Sequence, residues 1–190
     1  MSGKLSASEK SILLNVARNA IDTAVHGMPS TRIDLAKMTN NLKSDGASFV
    51  TLTIGERLRG CIGALEAFQP LVLDVQEHAV SAALEDFRFQ PVTPKEVPLL
   101  NIEISILSPL QPLAYQDGSD LLKKLRPEID GVLIKDGPRR ATFLPQVWEK
   151  TTSREEFLSH LCMKMGAQPD LWQKKHLSVF IYQVDEFKED

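Results

Sequence analysis

From Asn101 the chain alternates with a period of two: Ile102, Ile104 and Ile106 share one side of an extended segment, with Glu103, Ser105 and Leu107 on the other. A strand with one side so apolar needs a layer to cover it, and the sequence supplies helices on both flanks. Ile12, Leu13, Val16, Ala17, Ala20, Ile21, Ala24 and Val25 recur at helical spacing. Ser6 and Glu9 before them have the spacing of a capping box, and Gly27 and Pro29 end the run. A second helical face is formed by Leu71, Val72, Val75, Ala79, Ala82 and Ala83, reaching about Asp86. A third, Phe157, Leu158, Leu161, Cys162 and Met165, follows another capping-box spacing at Ser153 and Glu156.

Between these helices the sequence predicts hairpins. Phe49–Ile54 and Leu58–Leu65 flank a Gly55-Glu56-Arg57 turn, and Gly131–Lys135 and Arg140–Leu144 flank Asp136-Gly137-Pro138. Leu177–Val184 is apolar on both faces, as a central strand is. Ser30–Ala47 reads as an extended loop, Thr93-Pro94-Lys95-Glu96 as a helical turn, and Leu121, Leu122 and Leu125 as a short helix closed by Pro127. Hairpins interleaved with helices predict an α+β fold, a mixed and largely antiparallel sheet with flanking helices, in one domain over residues 1–190 with room for a smaller lobe.

Composition narrows the function classes. The 190 residues are 43% hydrophobic and 25% charged, the balance of a globular protein. A net charge of −3 gives no global electrostatic case for nucleic acid or an anionic membrane. The first ten residues have no apolar core of a secretory signal, and no apolar stretch approaches the ~20 residues of a membrane span. With only Cys61 and Cys162, the expectation is a cytoplasmic protein with two free thiols.

The familiar catalytic patterns are missing: no Walker-type phosphate loop, G-x-G-x-x-G, H-E-x-x-H or C-x-x-C occurs, and His26, His78, His160 and His176 have no metal-ligand spacing. No cofactor or metal is expected. The unusual segment is Leu58-Arg59-Gly60-Cys61-Ile62-Gly63. As a strand it places Arg59, Cys61 and Gly63 on one side and Leu58, Gly60 and Ile62 on the other. Two glycines weaken a strand and imply a bulge or the close approach of another group. An arginine beside Cys61 would favour its thiolate and make it a candidate nucleophile; the alternative is a small cysteine packed in a tight strand, with Arg59 paired to a carboxylate. Glu103 joins that side if its strand lies alongside. Arg139 and Arg140 could clamp an anion bidentately or stand as two solvated surface arginines, and Gln146 is a further candidate contact. Cys162 belongs to a helix face in the core.

The segment from Leu58 to Gly63, with Leu65-Glu66 and Pro70-Leu71, resembles the hallmark of the AMMECR-type domain family, the protein A of the AmmeMemoRadiSam system. Asp86-Phe87-Arg88-Phe89 and Pro91-Val92-Thr93-Pro94 are similar to a further block of that family, in which prolines stand at the positions of Phe87 and Gln90. The strand Ile102–Pro109, Asp130-Gly131-Val132, Arg139-Arg140 and Phe143–Trp148 extend the resemblance over residues 8–187. It implies an α+β fold and association with a Memo-like protein and a radical-SAM protein; it brings no reaction, since the family has no established activity. Three readings remain open: a partner module with a pocket around Arg59–Gly63 that takes a small anionic ligand, an enzyme using Cys61 on such a molecule, and an RNA binder using Gly60-Cys61-Ile62-Gly63 as a G-x-x-G loop. The acidic net charge and the strand context argue against RNA.

Overall fold

The computed structural model describes residues 5–189; Met1–Lys4, part of the stretch read above for a secretory signal, lie outside them. The chain divides into two compact units, Met1–Leu107 with Asp185–Asp190, and Ser108–Val184.

The first unit opens with α1 (Ala7–Val25). Its capping box is formed: Glu9 N donates to Ser6 Oγ at 3.3 Å and Ser6 N to Glu9 Oε2 at 2.8 Å. The same carboxylate accepts Thr39 Oγ1 at 2.6 Å, so α1 is tied to the start of α2 (Asn40–Lys43). The Thr39 bond, with those from Ser6, draws the Glu9 carboxyl down to about 2 against the resistance of burial. Gly27, at φ +67°, ends α1 in the left-handed region. The expected loop at Ser30–Ala47 is only partly a loop. It contains a 3-10 turn at Leu35–Lys37, α2, and the first residues of β1 (Asp45–Ile54), each helical turn started by a side-chain cap from Asp34 or Thr39.

β1 turns through Gly55 into β2 (Arg57–Gly63), and a two-residue strand β3 (Gln69–Pro70) precedes α3 (Leu71–Leu84). After the turn at Pro94–Glu96 and a 3-10 turn at Val97–Leu99 comes β4 (Leu100–Leu107). β1 pairs antiparallel with β2, β3 and β4. Val50, Leu52, Ile102 and Ile104 are fully buried in one cluster with Leu13, Ala17 and Ile21 of α1 and Val72, Val75 and Ala79 of α3. The helical stripes and the strand alternation read from the sequence meet in this core.

The second unit contains β5 (Gln111–Pro112), α4 (Gly118–Lys124), β6 (Gly131–Asp136), β7 (Arg139–Phe143), a 3-10 turn at Pro145–Lys150, α5 (Arg154–Lys164), α6 (Leu171–Lys174) and β8 (Ser178–Tyr182). Its sheet runs β5-β8-β6-β7, which puts β8 inside, as its apolar faces require. Trp148 stacks on Phe157 at 3.5 Å between ring centres, and its Nε1 donates to the Asp130 carbonyl at 2.7 Å. In α5 the Glu156 side chain receives the Thr152 amide, one residue before the Ser153 cap.

β9 (Val184–Lys188) then joins the first sheet beside β4, giving the order β2-β1-β4-β9. Arg18 of α1 binds Glu189 and the carbonyls of Val97 and Leu100, which fastens this last strand to the first unit. The antiparallel pairings are thus divided between two sheets. Among the described residues no helix is long and apolar enough to cross a membrane.

Candidate functional site

Cys61 lies on β2, at the edge of the first sheet, on the side turned away from α3. The opposite side of β2 is fixed by Gly60: a Cβ there would stand 2.0 Å from the Ala82 carbonyl oxygen. Helix α3 therefore packs directly on the strand backbone, and no other residue fits. Gly63 is required as well, since a Cβ would meet the Phe49 ring and the Ser48 carbonyl at 2.4 Å. Both glycines serve packing within the unit, whereas a G-x-x-G clamp on RNA would need its backbone open.

The register carries Cys61 and Glu103 into one row. Thr51 of β1 pairs with Cys61 on one side and with Glu103 on the other, so the three share a face across three strands. Thr51 Oγ1 donates to Cys61 Sγ at 3.2 Å. A register shift at Leu52/Thr53 sets Leu58 opposite Thr53. The alternation expected from Leu58 to Gly63 therefore breaks at Arg59, and Leu58 is exposed instead of sharing the core side with Gly60 and Ile62.

Arg59 is bound to a carboxylate. Its Nε donates to Glu96 Oε1 at 2.8 Å and its Nη2 to Glu96 and the Pro91 carbonyl. Glu96 also takes the amide and hydroxyl of Thr93; Arg59 first, then Thr93, hold its carboxyl at about 2. The guanidinium that comes to Cys61 is Arg88. Its Nη2 donates to the Cys61 carbonyl at 3.2 Å and to Asp86 Oδ2 at 2.6 Å, and Asp86 Oδ2 accepts the Cys61 amide at 2.9 Å. Hydrogen bonding from Arg88 is the main cause that holds the buried Asp86 carboxyl far below the usual carboxylate range. The same pair raises Arg88. Phe87 sits between the two clamping residues with 93% of its surface exposed.

Within this unit no histidine reaches Cys61: His26 is bound to Asp22 at the end of α1, and His78 lies on α3, on the other side of the sheet. Among the described residues no group of three or more His, Cys, Asp or Glu side chains is placed to hold a metal ion. Arg139, Arg140 and Gln146 belong to the second unit, where Arg139 pairs with Asp136 and reaches the Gly166 carbonyl. Arg59, Gly60, Cys61, Ile62 and Gly63 on β2 and Glu103 on β4 thus lie in one sheet, with β1 between them. Asp86, Arg88 and Thr51 were not among the candidates; only the Asp-Phe-Arg-Phe block marked the first two.

A two-sheet α+β chain with this glycine-bound cysteine strand defines a class, and comparison with known proteins names it. The AMMECR1 family model matches residues 14–187, and the chain belongs to this family. A protein of Methanothermobacter thermautotrophicus is 36% identical over 187 residues, covering 98% of this chain and 97% of its own. Protein MK0488 of Methanopyrus kandleri is 35% identical, covering 100% and 93%. The crystal structure of the uncharacterized protein PH0010 from Pyrococcus horikoshii superposes with a TM-score of 0.83 at 30% identity, over 94% of this chain and 90% of that one.

Proposed function

We propose that this chain is a binding component of a multi-protein modification system in a reducing compartment such as the cytoplasm, and that it meets its partner beside Cys61. The observation that carries this is Phe87. Asp86 and Arg88 fix the chain on either side of it to the backbone of β2, so the ring is carried on a fixed backbone while almost wholly exposed. A solvent-facing aromatic on a fixed backbone loses no backbone entropy on docking and serves as an anchor in an interface. The partners that the family resemblance implies are a Memo-like and a radical-SAM protein. The test is titration of each, taken from the same organism, against the native chain and Phe87→Ala by calorimetry. Loss of about 10-fold or more in affinity supports the anchor; no binding by the native chain, or equal binding by the variant, overturns it.

A second reading, thiol chemistry on a small anionic molecule, is favoured by the partial exposure of Cys61 and by the Thr51 hydroxyl, which donates to its Sγ and fixes where the sulfur points. It requires that Cys61 alkylate with a pKa clearly below about 8.5. Protection of Cys61 until unfolding would end it.

A further inference from the structure

On the other side of the same sheet three polar side chains are buried together where apolar ones would be expected. Ser48 is fully buried, Asp74 is 2% exposed and His78 is 9% exposed. Ser48 Oγ donates to Asp74 Oδ2 at 2.6 Å, and His78 Nδ1 lies 3.2 Å from the same oxygen and 3.3 Å from Ser48 Oγ. In the neutral form of such a ring, a carboxylate facing Nδ1 fixes the proton there and leaves the lone pair on Nε2. Nε2 makes no hydrogen bond among the described residues and is not one of their buried orphan atoms, so the small exposed part of the ring is its Nε2 edge. Ser48 is too deep to meet a ligand, and both it and Asp74 address the same ring nitrogen. The arrangement is therefore a histidine oriented by two neighbours, and Ser48 is not a nucleophile.

The sheet opens at this point. β1 pairs Phe49 with Gly63 and next Gly46 with Gln69, so Ala64–Phe68, five residues, pass over two of β1, Ala47 and Ser48. Ala64 N is held by the Ser48 carbonyl at 3.0 Å, and the segment then leaves the sheet, with Phe68 75% exposed. Replacing a buried polar cluster by apolar side chains of similar volume is often neutral or stabilising, so packing alone does not account for this one.

We infer that His78 is the proton-accepting residue of a second site, on the α3 side of the sheet where the β2 edge of β1 is unpaired at Ala47, that takes a small neutral or cationic hydrogen-bond donor. Asp74 on the ring and the exposed Glu77 next to His78 in the chain, whose carboxylate among the described residues is bonded only by the Gln69 amide, repel anions. In the transfer an O–H or N–H bond of the ligand breaks and Nε2–H forms. The imidazolium charge then faces Asp74, a positioning residue.

The test is acylation of the native chain by diethyl pyrocarbonate, with the rate at each histidine read by mass spectrometry. The reagent adds at Nε2, ethyl carbonate leaves, and the Nδ1 proton passes towards Asp74. His78 is expected to acylate faster than the exposed His176, and Asp74→Asn to slow His78 alone by about 10-fold or more. Asp74→Glu is expected to restore part of the rate, which a purely structural carboxylate would not do. If Asp74→Asn does not fold, Ser48→Ala carries the test: freed of a competing donor, Asp74 supports the ring more strongly and His78 speeds up. His78 inert in the folded chain while His176 reacts, or a His78 rate indifferent to both substitutions, overturns the inference.

Discussion

The Asp86 carboxylate accepts the backbone amide of Cys61 at 2.9 Å, in the place where a neighbouring strand would offer a carbonyl. Arg88 completes the substitution by donating to the Cys61 carbonyl. β2 is the edge strand of its sheet, and a two-residue side-chain clamp closes the edge beside the thiol.

Removing the carboxylate leaves a partly buried amide without an acceptor and Arg88 without its partner. Asp86→Ala is expected to destabilise the protein by about 3 kcal/mol, read from the shift of the urea midpoint. Asp86→Asn keeps an acceptor oxygen and should cost less. Light scattering should show self-association of the alanine variant through the opened edge; a monomeric variant of native stability would mean that the clamp is ornamental.

Acid acts on the first unit through three carboxyls whose folded values lie below their unfolded ones. Glu9 and Glu96 stand at about 2 against an ordinary 4.5, and Asp86 lies lower than its own ordinary value. Their contribution is complete above the unfolded values and is lost as the pH falls through the folded ones. Urea midpoints are therefore expected to hold from about pH 7 to about pH 5 and to decline steeply below about pH 4. Glu96→Gln should flatten part of that decline while lowering the plateau.

Gly60 and Gly55 separate two uses of glycine. At Gly60 an alanine would drive its Cβ into a main-chain oxygen that only a shift of α3 can clear. Gly60→Ala is expected to cost about 3 kcal/mol or more. Gly55 has φ +58° with nothing within 4 Å, so Gly55→Ala carries backbone strain alone, about 1 kcal/mol. Equal denaturation midpoints for the two variants would contradict the close packing of α3 on β2.

The two thiols should separate cleanly. Cys162 is fully buried and burial pushes its thiol up, while Cys61 is partly exposed. An aromatic disulfide reagent is expected to titrate one equivalent in the folded protein and two after unfolding, and Cys61→Ser should abolish the first. A second equivalent without unfolding would place Cys162 nearer the surface than its packing allows.

Local signals were legible in the sequence because they are written in neighbouring residues. The Ser6–Glu9 box, the turns at Gly55 and Gly137, and the common face of Cys61 and Gly63 follow from spacing a few positions long. The Glu103 row was foreseeable only as a condition, since strand alternation gives the face but not the register. Arg59 shows the limit: a carboxylate partner was one of the two readings, yet that partner, Glu96, lies 37 positions away and is chosen by the path of the chain after α3. The separation into two sheets was hidden for the same reason. Val184-Asp185-Glu186-Phe187-Lys188 has only two apolar residues, and its place beside β4 is fastened by Arg18, far from it in sequence, through Glu189 at its end.

The return of β9 to the first sheet makes the second unit an insertion. Its two ends meet, with Ser108 N on the Gln183 carbonyl and Gln183 N on Ser108 Oγ, both at 2.9 Å. Everything from Ser108 to Val184 is thus a closed excursion from the chain that builds the first unit. During synthesis the unit that carries Cys61 emerges first but waits for Asp185–Glu189, and so for the whole of the other unit, before its sheet is complete.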